Sequence, residues 1–222
     1  DINDQEAKTA LLKDISDIRY NWYGDPMAST ILILSDVILC TRENSLNRLP
    51  IDRFRRNPED IEHIGCKTPN DEDRTDTAKW IAYIEEIEKS EIIIEKDVIK
   101  RWKASLESDS VTQKQIDIYI IVSELNAYGL NSLGNLVLLD LSINRCYDYR
   151  NASFPKKKMI ILSHYFGNTE NIKGKKKEKE NVRPIRPYTL NVFTSEEDNK
   201  WTLEDIKKTA EKLSSTIENF IA

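Results

Sequence analysis

The sequence has few of the residues that build metal–sulfur or disulfide sites. It contains three cysteines in 222 residues, Cys40, Cys66 and Cys146, which are far apart and form no CxxC pair. This pattern argues against a zinc ribbon or a redox pair, and an odd, sparse count does not predict a disulfide framework. Such cysteine usage is typical of a reducing compartment, so we expect a cytoplasmic protein.

Long hydrophobic runs are also missing. No stretch approaches the roughly 18 consecutive apolar residues of a membrane span. The longest apolar runs, around 31–34 and 92–94, are short and flanked by charged residues. There is no signal peptide pattern either. We therefore expect no membrane among the partners of this protein.

The overall charge gives no first sign of nucleic-acid binding. The chain carries 38 acidic and 33 basic residues, for a net charge of -5, which argues against binding through total charge. The segment 145–187 differs, because it holds 12 basic and 4 acidic residues. Such a basic stripe is what binding to backbone phosphates requires. For residues 171–180 alone, a disordered Lys/Glu loop is an equal alternative.

The spacing of apolar residues predicts a mainly helical chain with a few short strands. Residues 1–48 form a predicted N-terminal helical segment, and 49–222 a second unit. That unit includes a helical block at 71–128 and a basic loop at 167–187. Helices are predicted at 5–23, 28–41 (a strand being possible there), 77–90, 98–106, 115–128, 141–149, 153–166 and 201–220. Strands are predicted near 61–64, at 135–139 and at 188–193.

The first candidate for chemistry is the pair Glu62-His63. The chain has only two histidines, and His63 ends a strand-like stretch directly after a carboxylate. Neighbours on a strand point to opposite faces, so the two side chains can share one metal centre only if the strand bends there. Gly65 and Pro69 make such a bend plausible. Taken alone, a packing or surface histidine is the more ordinary interpretation.

A second candidate is the pair of asparagines in the segment that begins GNLVLL. Asn135 opens a predicted strand, and Asn144 follows nine residues later on a predicted short helix. Asparagine oxygens can bind a hard divalent cation, and a histidine beside it can deprotonate a water. The alternative is that Asn135 ties down a turn while Asn144 lies on an exposed helix.

Together these segments resemble the His-Asn-His (HNH) nucleases, also called His-Me finger nucleases. More narrowly, residues 45–222 resemble the C-terminal nuclease domain of the GmrSD-type restriction proteins. The resemblance implies an α+β fold, a mainly helical domain around a ββα-metal core, with 49–222 as the nuclease domain. It is carried by Glu62-His63-Ile64, Gly134-Asn135-Leu136 with Leu138-Leu139, Asn144, Phe154 with Lys157, and Trp201-Thr202 with Ile206.

The resemblance also implies roles for the central residues of the motif. His63 would be the general base, a task that suits a neutral imidazole near pH 7. Glu62 and Asn144 would hold one divalent metal ion, Mg²⁺ or alternatively Mn²⁺ or another divalent ion. Asn135 would orient the loop of His63 through side-chain hydrogen bonds.

Basic residues would meet the substrate. The resemblance gives Lys157, or one of its neighbours Lys156 and Lys158, a contact with the phosphate. Arg145, Lys156, Lys157 and Lys158 together form the predicted DNA-binding set. A run of three lysines is also the ordinary composition of a solvated helix face.

The implied function is a metal-dependent endonuclease that hydrolyses DNA phosphodiester bonds, as the cutting module of a restriction or anti-phage system. We expect DNA and an N-terminal or separate NTP-dependent specificity domain or subunit as partners. The chain departs from the family where Gly65–Thr68 delays the proline that often follows the EHI triplet. Two alternatives stay open: a catalytically decayed module that binds a partner, and an RNA-cleaving toxin.

Overall fold

The computed structural model shows a helical protein with one small sheet. The described part of the chain covers most of the predicted motifs, but only the ends of the basic loop at 167–187. The described residues are 2–42, 58–65, 76–89, 96–107, 118, 120, 121, 124, 126–145, 149, 152–167, 183–195 and 201–221.

Within these residues there are eight α-helices and two strands, numbered here along the chain. The helices are α1 (Ile2–Ser16), α2 (Pro26–Arg42), α3 (Thr77–Lys89), α4 (Lys96–Leu106), α5 (Leu141–Asn144), α6 (Phe154–Tyr165), α7 (Pro187–Ser195) and α8 (Leu203–Ile221). The strands are β1 (Glu59–His63) and β2 (Leu136–Asp140). The predicted α+β class with mainly helical content is confirmed. None of the described helices is long and apolar enough to cross a membrane.

The two strands pair in antiparallel register. Glu59 lies opposite Asp140, and His63 lies opposite Leu136, so the sheet brings together segments that are far apart in sequence. All five residues of β2 are buried. A strand that is buried throughout has both faces covered, and helices α2, α5 and α7 all contact β2. The sheet is therefore the centre of the core.

Helix α8 packs against the turn that leads into β2. Its buried face is Leu203, Ile206, Ala210, Leu213 and Ile217, which is the helical spacing predicted from the sequence. Gly134 lies directly under this helix, and a Cβ at that position would be 2.0 Å from the carbonyl oxygen of Ile206. No side chain fits there, which gives a packing reason for the glycine of the Gly134-Asn135-Leu136 triplet.

The N-terminal helices share this core. Helix α1 packs along α8, where the Ser214 hydroxyl donates to the carbonyl oxygen of Leu12 at 2.8 Å. Helix α2 contributes Asp36, whose carboxylate accepts from the Arg186 guanidinium at 2.8 Å and from the backbone N–H of Tyr188 at 2.8 Å. Apolar residues of α1 and α2 belong to the same buried cluster as those of β2.

Three local predictions were wrong. The helix predicted over 141–149 ends at Asn144, and Arg145 lies in a turn. Residues 188–193 form part of α7 rather than a strand. Pro187 opens this helix, where its missing N–H costs nothing, and Tyr188, Thr189, Val192 and Phe193 are buried at helical spacing. The first helix, predicted to reach residue 23, ends at Ser16, and a turn containing Gly24 at φ 90° leads to α2.

Candidate active site at the end of the two-stranded sheet

The imidazole of His63 is enclosed at the end of β1. The residue is 4% exposed. Its Nε2 lies 3.0 Å from Oδ1 of Asn131, in a hydrogen bond between two buried side chains. The ring also packs on Tyr23, with 4.4 Å between ring centroids and a tilt of 39° between the planes. Contacts on two sides therefore orient the ring.

Asn135 ties the backbone after His63 to two other parts of the chain. Its Oδ1 accepts from the backbone N–H of Gly65 at 2.7 Å and from the indole N–H of Trp201 at 2.9 Å. Its Nδ2 donates to the carbonyl oxygens of Gly65 at 3.3 Å and Leu130 at 2.8 Å. The amide thus uses both ends, as a buried amide must to avoid unsatisfied polar atoms. This arrangement is compatible with an orienting role for Asn135.

Lys157 lies behind β1 and not on the surface. Its side chain is fully buried, and Nζ donates to Oε1 of Glu62 at 2.8 Å and to the carbonyl oxygen of His63 at 2.5 Å. Nζ also lies 5.0 Å from the centroid of the Tyr149 ring. The sequence predicted a phosphate contact for Lys157, whereas the structure places its ammonium inside the protein with these partners.

The Glu62 carboxylate is only partly compensated by this ion pair. Burial raises the pKa of Glu62 above its ordinary value, while the Lys157 ammonium and its hydrogen bond act in the opposite direction. The nearby charge of Asp60 raises the pKa of Glu62 further. Two acidic groups therefore lie near each other on this part of β1, with one buried cation beside them.

Asn144 is placed on α5, the short helix that follows β2. The Asp140 carboxylate caps this helix, accepting from the backbone N–H of Ser142 at 2.8 Å and from its hydroxyl at 2.5 Å. Helix α5 contacts both β1 and β2, and Asn144 is buried at 8% exposure. The chain thus turns back over the sheet, and Asn144 is enclosed rather than displayed on an exposed helix.

The other predicted DNA-binding residues lie nearer the surface. Arg145 and Lys156 are exposed, and Lys158 is half-buried. Arg145 directly follows the helix that carries Asn144, and the two lysines flank the buried Lys157 on α6. The middle of the lysine run and its two neighbours therefore have different environments.

Residues 123–216 match the family of C-terminal domains of GmrSD restriction endonucleases. The predicted resemblance is confirmed over this range, called the GmrSD-like segment below. No curated protein and no solved structure matches the chain.

The GmrSD-like segment contains Asn135, Asn144, Lys157 and Trp201, whereas Glu62 and His63 lie outside it. The structure connects the two parts. β1 pairs with β2 of the GmrSD-like segment, and the His63 ring and carbonyl oxygen bind Asn131 and Lys157 respectively. The EHI triplet is thus part of the same folded site.

Glu62 carries a carboxylate and Asn144 an amide, which are ligand types that Mg²⁺ uses, usually together with waters. In the described part of the chain, no three His, Cys, Asp or Glu side chains group closely enough to hold a metal ion. A metal at this site would therefore rely on few protein ligands, as Mg²⁺ sites commonly do.

Sequence analysis missed three residues around His63 and Lys157. Asn131 was interpreted only as a residue that marks a turn before Gly134, although its side chain pairs with His63. Tyr23 comes from the turn between α1 and α2, and Tyr149 packs on the Lys157 ammonium. Asn131 could have been suspected from its place in the NSLGNL segment, whereas the two tyrosines carry no spacing signal.

Proposed function

We propose that the protein is a metal-dependent endonuclease that hydrolyses DNA phosphodiester bonds, as the cutting module of a restriction or anti-phage system. The observation that carries this proposal is the enclosure of His63 at the end of β1, where it is held by residues of the GmrSD-like segment. A histidine on a surface loop would have no such connection to the segment that matches restriction endonucleases.

His63 acts as the general base in this proposal. When Nε2 carries the ring proton and donates a hydrogen bond to Oδ1 of Asn131, Nδ1 is unprotonated. Nδ1 is then the nitrogen that can take a proton from water. The carbonyl oxygen of His63 is held by Lys157 and the following backbone by Asn135. A fixed base is what proton transfer in a transition state requires.

Glu62 and Asn144 are the residues that would hold the divalent ion, with Mg²⁺ as the first candidate and Mn²⁺ as an alternative. Such an ion supplies Lewis-acid stabilisation of the charge that develops on the phosphate. Lys157 keeps Glu62 at a fixed place on β1 through the 2.8 Å ion pair. The role of Lys157 is thus support of the Glu62-His63 segment and not contact with DNA.

Arg145, Lys156 and Lys158 are the proposed contacts to the DNA backbone. Their charges belong to the basic stretch 145–187, and phosphate contacts of this kind give affinity without sequence selectivity. Selectivity would then come from an N-terminal or separate NTP-dependent domain or subunit. Replacement of Lys156 and Lys158 by Gln should weaken binding to DNA of any sequence and reduce its salt dependence.

The test compares the two histidines of the chain. Wild type is expected to nick plasmid DNA with Mg²⁺ or Mn²⁺, and His63→Ala should reduce nicking by about 10²–10⁴-fold, the usual contribution of a general base. His164→Ala is the matched control and should retain activity. Robust cleavage by His63→Ala would contradict the assignment of His63 as the general base. Parallel assays with duplex DNA and RNA decide between a restriction module and an RNA-cleaving toxin.

One observation favours the decayed alternative. The Lys157 ammonium already balances part of the charge of Glu62, and a site without metal could keep this pair for stability alone. Titration of Mn²⁺ into wild type and Asn144→Ala separates the two cases. The endonuclease proposal expects binding that Asn144→Ala weakens, whereas identical curves, or no binding, favour decay.

A further inference from the structure

The turn between α1 and α2 reaches the candidate active site. It places Tyr23, 41% exposed, against the ring of His63, with the centroids 4.4 Å apart. Burial, together with the nearby charges of Asp60 and Glu62, raises the pKa of the Tyr23 hydroxyl, so the residue faces the acidic side of β1. Residue 23 lies far outside the GmrSD-like segment.

The same turn is anchored to the partner of His63. The backbone N–H of Trp22 donates to the carbonyl oxygen of Asn131 at 2.9 Å, while Oδ1 of Asn131 pairs with His63 at 3.0 Å. The Trp22 indole N–H donates to the carbonyl oxygen of Asp14 at 3.1 Å, which ties the turn to the end of α1. Asn131 thus connects the turn and the imidazole through two different groups.

We propose that Tyr23 is a positioning residue that holds the imidazole of His63 in one orientation, so that the turn between α1 and α2 is part of the active site. The inference rests on the proposed function for its catalytic consequence. Asn131 binds one edge of the ring through Nε2, and Tyr23 covers one of its faces. The tilted ring of Tyr23 thereby restricts the orientation of the imidazole.

The expected effect follows from the cost of a loosely held base. A displacement of about 1 Å in a catalytic group can cost about 10²-fold in rate. Tyr23→Ala should therefore lower kcat by about 10–100-fold with little change in KM, because the change affects the base and not the phosphate contacts. Tyr23→Phe keeps the ring contact and should restore most of the rate.

Tyr20 offers a matched control on the same turn. Its ring is 37% exposed and packs on Trp22 with 4.5 Å between centroids and a tilt of 38°, almost the geometry of Tyr23 on His63. Tyr20→Ala removes a similar aromatic contact from the turn without touching His63. If Tyr23→Ala and Tyr20→Ala lower kcat equally, or if Tyr23→Phe fails to restore it, the positioning role is overturned.

A second measurement does not depend on cleavage. The imidazole proton shifts of His63 can be measured by NMR in the metal-free full chain at about pH 8, above the ordinary histidine pKa of about 6.5. The chain has only two histidines, so His164→Gln assigns the signals. Ring-current displacement of the His63 signals should be lost in Tyr23→Ala and kept in Tyr23→Phe and Tyr20→Ala.

The two measurements separate the possible failures. If wild type cleaves no nucleic acid but Tyr23→Ala shifts the His63 signals as expected, the proposed function fails and the positioning contact is supported. If the His63 signals are the same in wild type and Tyr23→Ala, the contact is absent in solution and the inference is overturned, whatever the cleavage assay shows.

Discussion

The two ends of β1 each carry a glutamate paired with a buried cation, but the cations differ. At the start of the strand, the Arg186 guanidinium binds Glu59 at 2.5 Å and 2.7 Å and Asp36 at 2.8 Å. At the other end, the Lys157 ammonium binds Glu62 at 2.8 Å and the carbonyl oxygen of His63. One cation joins three elements of the fold, and the other holds the segment of the proposed general base.

The two cationic side chains differ in shape and flexibility, and each suits a different use. Arginine presents a rigid planar fork, which suits bidentate pairing with Glu59 and a fixed junction between α2, β1 and the start of α7. Lysine is a point charge on a flexible chain, so its partners can change without rebuilding a planar geometry. We therefore expect the Arg186 end to govern stability and the Lys157 end to couple stability to activity.

The largest expected effect comes from removing the guanidinium. Arg186→Met leaves Glu59 and Asp36 without their cation, and breaking a buried ion pair in this way costs about 3–5 kcal/mol. With two carboxylates stranded, we expect the upper end, about 5 kcal/mol, in the free energy of unfolding measured by urea titration. Nicking per folded molecule should be little changed. A loss of less than about 1 kcal/mol in the free energy of unfolding would contradict the proposal that Arg186 joins α2, β1 and the start of α7.

Lys157→Met comes next, because it strands one carboxylate, Glu62, rather than two. We expect a loss of about 3 kcal/mol in the free energy of unfolding. Here nicking per folded molecule should also fall, since the His63 carbonyl loses its donor. The double variant Lys157→Met/Glu62→Gln removes the stranded charge and should recover part of the stability but not the activity, because Glu62 is also a proposed metal ligand. Recovery of both would contradict the proposed roles of Lys157 and Glu62.

A smaller effect is expected at the cap of α5. Asp140→Ala removes the side chain that accepts from Ser142, and loss of such a cap costs about 1 kcal/mol. Asp140→Asn is the matched control, because asparagine caps equally well. The loss in Asp140→Ala should be accompanied by weaker Mn²⁺ binding, if the helix places Asn144. Equal stability of both variants would show that packing alone holds α5.

The smallest expected effect is a pH dependence at His164. Burial lowers the pKa of His164, with the Arg183 charge acting in the same direction and Asp140 opposing it. The unfolded chain then takes up a proton below about pH 6.5 more readily than the folded chain, so stability is present above that pH and decreases as the pH falls. His164→Gln should reduce this decrease, as measured by urea midpoints at about pH 7.5 and about pH 5.5.

This pH dependence also bears on the Arg186 end. Nδ1 of His164 accepts from the backbone N–H of Arg183 at 3.3 Å, in the segment that leads to Arg186. Protonation of His164 removes this acceptor. If the acid sensitivity persists unchanged in His164→Gln, the titrating groups lie elsewhere and the segment 183–186 is insensitive to His164.

Much of the site could be predicted because its signals are local. The alternating and glycine-marked segments around His63 and Asn135 indicated strands, and the apolar face of α8 follows helical spacing. Tyr188–Phe193 was misjudged, because β-branched and aromatic residues favour strands only where a sheet edge can receive them. Here Thr189 donates to the carbonyl oxygen of Leu138 from a helix that packs on the sheet.

The rest depends on contacts between distant residues. The sequence does not distinguish the three consecutive lysines at 156–158. Only the packing of α6 against β1 decides that Lys157 is the buried one. Asp36 and Arg186 are 150 residues apart, and no pattern within either segment predicts their pairing. Tyr23 is a similar case, because its contact with His63 follows from how α1 and α2 pack.

The hydrogen bonds of Asn135 also determine when the site can exist. The bond from Gly65 spans 70 residues, and the bond from Trp201 spans a further 66. At about 5–20 residues per second, a ribosome needs on the order of ten seconds to make the chain between these two ends. Until Trp201 has emerged, the backbone after His63 lacks its full set of restraints. The candidate site is therefore completed only after Trp201 has been made, long after His63 has left the ribosome.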